Sequence, residues 1–545
     1  MSAEPDTRPH LPPLLRALAA PALHDGADVQ LRETHASWVV LAGELAWKVK
    51  KPLAFAFLDQ STPQRRRAAC EAELELNRPL APDVYLAVRG LAPDGDGVRL
   101  TDADDPDAVE YAVEMRRFDE RETLAGLIAR DALDERHLEL VAERLAAFHA
   151  QAPVAPPADA PHEPAAAAAA ALERLNRNGE ELVALLDAAA ERAEVLAQLR
   201  AAARFAVASA ELLAARARAG LVRELHGDLR AEHVLPGPPV RLVDRLEFNR
   251  AWRAVDMADE LAFLAMDLTA LGRPDAAMAL LAAYRAAGGD PDGDRLVAFH
   301  AVYRAHVRAK VSLLRAAQER EEGEERAAVA ERARAAGLLA VAERFAWRLR
   351  LPPVLVVCGP SASGKSVLAA ELAARSGLPA ISSDVVRKRL AGVEATARAS
   401  AEVYDEAMNA RTYAALGRAA AAAAATGGGA IVDATFRRRA DREAFRAGLE
   451  EGAGTRADSP GTAGAADPPR AAYVELTAAP EVLRARAERR LRDAARVSDG
   501  TPELALAQLA EFAPLTEVPP GDHHLLRADR EPEALAAALA AALDG

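Results

Sequence analysis

The stretch "VLVVCGPSASGKS", residues 354–366, restricts the fold more than any other part of the chain. Five consecutive apolar residues, with no polar alternation, read as a short strand buried on both faces. A strand of that kind needs cover above and below, which parallel sheets obtain from crossover helices. The residues that follow keep this rhythm: "PAISSD", "GAIVDATF" and "AAYVELTA" are strand-like and are separated by helical stretches. Immediately after the first strand, Gly359 and Gly364 bracket a loop, and Lys365 and Ser366 open a helix.

The loop fits G-x-x-x-x-G-K-[ST] at every position. Glycine at its two ends allows a turn in which successive amide N–H groups face one anion, and the helix N-terminus adds its own donors. Gly359, Pro360, Ser361, Ala362, Ser363, Gly364, Lys365 and Ser366 are therefore the expected cradle of a nucleotide. Lys365 would reach the β and γ phosphates, and the Ser366 hydroxyl would ligate magnesium, so ATP and Mg2+ are the expected cofactors. Composition adds weight to the lysine. The chain has 68 Lys+Arg, of which six are lysine, at 48, 50, 51, 310, 365 and 388. Arginine replaces lysine wherever surface charge suffices, but not where a compact ammonium must enter a phosphate site.

In the same half, Asp384 stands at a strand end with Arg387 and Lys388 after it, Asp433 and Thr435 close another strand, and Arg486 and Arg490 lie four apart on one helix face. These residues, with the loop, resemble the P-loop kinases related to polynucleotide kinase, zeta toxin and gluconate kinase, over about 350–545. The resemblance implies that Asp384 accepts the acceptor hydroxyl's proton, Arg387 grips the substrate, and Arg486 and Arg490 neutralise the transferring phosphoryl. Asp384 is also a suitable helix cap, and Arg486 with Arg490 also suits a solvated helix face. Asp433 holds magnesium, through water, or contacts substrate; the sequence leaves both open.

The N-terminal half carries a second set. In "HGDLRAEHVL", Asp228 is followed sixteen residues later by Asp244, in "RLVDRLEF". A catalytic-loop Asp followed by an Asp after a short strand is the order of base and metal ligand in protein kinases. "LAWKVKKP" then supplies Lys48 or Lys50 for ATP, and "EAELELNRPL" supplies Glu73 as its partner, with Glu71 as the substitute for Glu73; "VEMRRF" is the expected adenine-facing hinge, around Glu114 and Met115. The ordered set resembles the aminoglycoside phosphotransferase family, over about 25–345. With the other half, the chain resembles bacterial fusions of such a domain with a P-loop kinase. The sequence departs from the family at His233, which holds the place of a metal-binding Asn, and at "RLEF" after Asp244, where Glu247 offers a further oxygen. His233 is expected at the metal by its place in the motif; because imidazole is a poorer ligand for magnesium than oxygen, a hydrogen bond to Asp228 or to a metal-bound water is the alternative.

The expected architecture has two domains. Residues 1–25 form an extension, and 26–345 form an α+β protein-kinase-like domain with a small β-rich lobe and a large helical lobe. Residues 350–545 form an α/β P-loop NTPase domain with a parallel sheet, carrying a low-complexity, disordered insert at 451–470. The expected activity is transfer of the ATP γ-phosphoryl to a hydroxyl of a small molecule. The rivals are a P-loop ATPase regulated by a degenerate kinase-like sensor, and a polynucleotide 5′-hydroxyl kinase. A formal charge of −14 argues against a general nucleic-acid surface. Two cysteines, no signal-like start and no long apolar run point to a cytoplasmic chain off the membrane.

Overall fold

The computed structural model describes residues 11–34, 36–55, 58–394, 405–454, 467–491 and 501–544. The centre of the expected insert at 451–470 falls outside these residues, as does the side chain of Arg490. The described chain forms two compact units. One runs to Ala170 and resumes over Ser209–Pro291; the other takes Ala171–Ala208 and everything from Asp292.

The first unit holds a six-stranded antiparallel sheet in the order Val29–Glu33, Ser37–Ala42, Leu45–Lys50, Glu110–Arg116, Tyr85–Asp94, Gly97–Asp102. Side chains alternate across each strand. In Leu45–Lys50, Trp47 and Val49 join Val40, Leu91 and Val98 in a core closed by Leu15 and Leu18. Lys48 and Lys50 therefore face the other way, toward the helix Pro63–Asn77. Thr62 caps that helix by accepting from the amide of Arg65 at 3.3 Å, and Pro63 occupies its first turn.

The rest of this unit is mainly helical, and its centre is Met257–Ala270. Eleven residues of that helix, Asp259 and Glu260 among them, are buried, so it is enclosed on nearly every side. This small sheet with one helix, followed by a helical lobe, is a protein-kinase-like fold.

The second unit contains a five-stranded parallel sheet in the order Ala380–Ser382, Ala430–Asp433, Val354–Cys358, Ala471–Thr477, His523–Arg527. Its central strand is buried on both faces. Val354, Val356 and Cys358 pack with Tyr413, Phe436 and Phe445. Leu355 and Val357 pack with Leu368, Leu372, Leu535 and Trp347. Trp347 lies on the helix Glu325–Arg350, so helices that precede the Pro352–Pro353 break pack with the parallel sheet. This is the α/β architecture of a P-loop NTPase.

Candidate functional site

In the second unit the sheet register collects the chemistry. Val357 lies opposite Asp433, and Asp433 lies opposite Ser382, so three neighbouring strands end at one level. The glycine loop, Asp433 and Asp384 all follow from these ends, where ligands bind in open parallel sheets. The loop has the conformation its glycines permit. Gly359 has φ +139°, and a Cβ there would stand 2.5 Å from the Leu476 carbonyl oxygen. Gly364 has φ +98° and precedes the helix Lys365–Ser376.

Lys365 Nζ donates to the Pro360 carbonyl at 2.9 Å, and the Ser361 amide donates to Gln508 Oε1 at 2.8 Å. Arg486 reaches the same loop: it donates to the Ala528 carbonyl at 2.7 Å and lies 3.5 Å from that of Ser363. Asp384 is half-buried in the first turn of Ser383–Leu390. On that helix the buried Arg387 donates to Asn409 Oδ1 at 2.6 Å. Ser366 is exposed and Asp433 is buried, and both present oxygen, the donor magnesium prefers. Gln508 had no signal in the sequence, because it approaches the loop from 147 residues away.

In the first unit, Lys48 Nζ lies 2.8 Å from Glu73 Oε1 and 2.6 Å from Asp244 Oδ1. Lys50 also pairs with Glu73 and, on its other side, with Glu247. Glu71 turns away to Arg67. Glu247, offered by the sequence as a metal oxygen, is thus committed to a lysine. Burial would lower the Lys48 pKa, but Asp244 and Glu73 outweigh it and hold the ammonium well above its usual range. Lys48 in turn holds the Asp244 carboxyl well below the carboxylate range.

Asp244 has φ +62°, uncommon for a non-glycine residue. Its amide bonds the Tyr85 hydroxyl at 2.9 Å, and the next amide donates to Asn77 Oδ1 at 2.7 Å. Asn77, one turn beyond Glu73, thereby ties the helix to the Asp244 loop.

Glu260 fixes the Asp228 loop by accepting from the amides of His226 at 3.0 Å and Gly227 at 2.8 Å. His226 Nε2 donates to the Val243 carbonyl at 2.8 Å, and burial lowers its pKa from 6.5 to about 4. The unfolded chain therefore takes up a proton that the folded chain refuses. Stability from this ring is complete above pH 6.5 and is lost as pH falls toward 4. Moving from about pH 7.5 to about pH 5 should cost the unit about 2 kcal/mol through this ring. Denaturant unfolding of the full chain at both values checks this, and His226→Gln should shrink the difference.

Asp228 Oδ2 pairs with Arg230 at 3.0 and 3.2 Å, and His233 sits beside it on the same loop. His233 Nδ1 contacts the Asp228 carbonyl at 2.8 Å, and Nε2 contacts Arg230 Nη2 at 3.0 Å. Both ring nitrogens are occupied, so the expectation that His233 ligates a metal does not fit this geometry. Asp244 Oδ1 meets Lys48, and its Oδ2 lies 3.6 Å from His233 Nε2. Among the described residues, no group of three His, Cys, Asp or Glu is placed to hold a metal by itself. Arg230 escaped the sequence reading although it lies inside the motif.

A kinase-like domain and a P-loop kinase-type domain are thus joined in one chain. Residues 354–515 match the model of a family described as "AAA domain". The chain is 35% identical over 369 residues to the uncharacterized protein Rv2004c of Mycobacterium tuberculosis (strain ATCC 25618 / H37Rv), covering 67% of this chain and 69% of that protein. The uncharacterized protein Mb2027c of Mycobacterium bovis (strain ATCC BAA-935 / AF2122/97) matches with the same figures. The protein belongs to the family of these mycobacterial proteins.

Among solved structures, a gluconokinase from Sinorhizobium meliloti 1021 matches 35% of this chain and 91% of its own, at 21% identity and TM-score 0.24. The GDP complex of wild-type aminoglycoside 2′-phosphotransferase-IIIa matches 58% and 98%, at 14% identity and TM-score 0.30. Among the described residues no helix is long and apolar enough to cross a membrane.

Proposed function

We propose that this protein is an ATP-dependent phosphotransferase that moves the γ-phosphoryl group to a hydroxyl of a small molecule. The observation that carries the reading is the convergence of the 359–366 loop, Asp433 and Asp384 at one end of the parallel sheet. Asp384 accepts the acceptor's proton as the hydroxyl oxygen bonds to the γ-phosphorus. The bond from that phosphorus to the bridging oxygen breaks, and ADP leaves. Lys365 and Arg486 compensate charge on the phosphates, and Arg387 orients the acceptor. Ser366 and Asp433 would hold magnesium here, and Asp244 would hold it in the first unit; the ion shields the phosphate charges. In the first unit, Asp228 is the corresponding base and Lys48 the phosphate-binding ammonium.

The grip of Arg230 on Asp228 favours a second reading of the first unit, as a nucleotide-binding module without transfer. ATP consumption with phosphorus NMR of the products, over sugars, aminoglycosides and oligonucleotides, tests both. In an Asp228→Asn background, Asp384→Asn should lower product formation by about two to four orders of magnitude. Unchanged turnover in that variant removes Asp384 as base. Unchanged turnover in Asp228→Asn assigns the first unit to binding alone, and phosphorylated oligonucleotide would revive an end-kinase role.

A further inference from the structure

Five residues after the base, protein kinases carry an Asn that holds a second magnesium ion. His233 occupies that place, and its contacts define its tautomer. A carbonyl only accepts, so Nδ1, 2.8 Å from the Asp228 oxygen, carries the hydrogen. A guanidinium only donates, so Nε2 gives its lone pair to Arg230 Nη2 at 3.0 Å. The ring lies against that of His226, with centroids 5.8 Å apart and planes at 22°.

The same Nη2 lies 3.0 Å from Asp228 Oδ2, and Nε lies 3.2 Å from it. Arg230 is 9% exposed, and its other terminal nitrogen pairs with Glu232. Asp244 Oδ2 is 3.6 Å from His233 Nε2. A permanent positive charge is therefore built in beside the base, and the His233 nitrogen that lies nearest the Asp244 carboxylate has its lone pair engaged by that guanidinium.

We propose that Arg230 takes the place of the second divalent cation, so that this site accepts a nucleoside triphosphate with one metal ion, on Asp244, instead of two. The inference rests on the reading of the first unit as a nucleotide site. A guanidinium can stand in for the ion's charge because it stays protonated at every relevant pH, and here its fork is fixed in place by Asp228, His233 and Glu232. His233 is then a positioning residue that holds the fork toward Asp228.

The test counts ions. Full-length protein is saturated with a non-hydrolysable ATP analogue, and bound manganese is measured by electron paramagnetic resonance beside bound nucleotide. The expected result is two nucleotides and two manganese ions per chain, one pair for each unit. Replacing the pair by Arg230→Leu with His233→Asn should admit a third ion without a further nucleotide. Two nucleotides with three ions in the unmodified chain overturn the inference and leave the nucleotide site standing. A single nucleotide that survives Lys48→Met withdraws the site itself, and the inference with it. The unmodified chain decides between these even where the double variant fails to fold.

Discussion

Lys365→Ala is expected to reduce ATP turnover at the parallel-sheet site by about two to three orders of magnitude. The ammonium is half-buried, and in the structure it donates to the Pro360 carbonyl at 2.9 Å. That contact is local and replaceable by water, so the fold should keep its melting temperature. What is lost is the compact positive charge over the β and γ phosphates. No other lysine is near in sequence, since Lys388 is 23 residues on and buried. An arginine is too broad to enter the same cradle, so Lys365→Arg should recover little. Initial rates of ATP consumption in an Asp228→Asn background isolate this site. Turnover within threefold of the parent would mean that the 359–366 loop does not grip the triphosphate.

Glu73→Gln should destabilise the first unit. Glu73 is fully buried and stands between two lysines, Lys48 and Lys50, whose side chains are 15% and 2% exposed. Burial would raise its pKa, but the two ammonium groups outweigh that and keep it ionised. Removing its charge takes away the carboxylate that the two lysines share and leaves Lys48 with Asp244 and Lys50 with Glu247. Because each ammonium keeps one partner, the loss should sit near about 3 kcal/mol, the lower end for a broken buried pair. Denaturant unfolding of the full chain measures it. Adding Lys50→Met should deepen the loss, because it leaves the buried Glu247 carboxylate without its ammonium partner. A loss below about 1 kcal/mol, or no further loss in the double variant, would show that the cluster is not electrostatically coupled.

The two halves differed in how far they could be read. The 359–366 loop was legible because its function is local: eight consecutive residues set their own backbone, and the strand before and helix after carry distinct apolar periods. The choice between Glu73 and Glu71 for Lys48 was not secure, because both lie on one helix. The rotation of that helix against the sheet turned Glu71 to Arg67 and Glu73 to the lysines.

Glu247 shows the limit more sharply. Three residues beyond Asp244 it reads as a spare metal oxygen, yet it is paired with Lys50, 197 residues away in sequence. His233 shows it again. Its identity argued about metal preference, but the commitment of both nitrogens came from Arg230 and the Asp228 carbonyl.

The amino-acid order alone was enough for the nucleotide loop, the alternating faces of the strands and the identity of the charged groups, since these follow from chemistry within a few residues. Which charges meet was settled by folding. In a low-dielectric interior a lysine or carboxylate must find a counter-charge, and the partner is whichever one the packing of distant segments brings within reach.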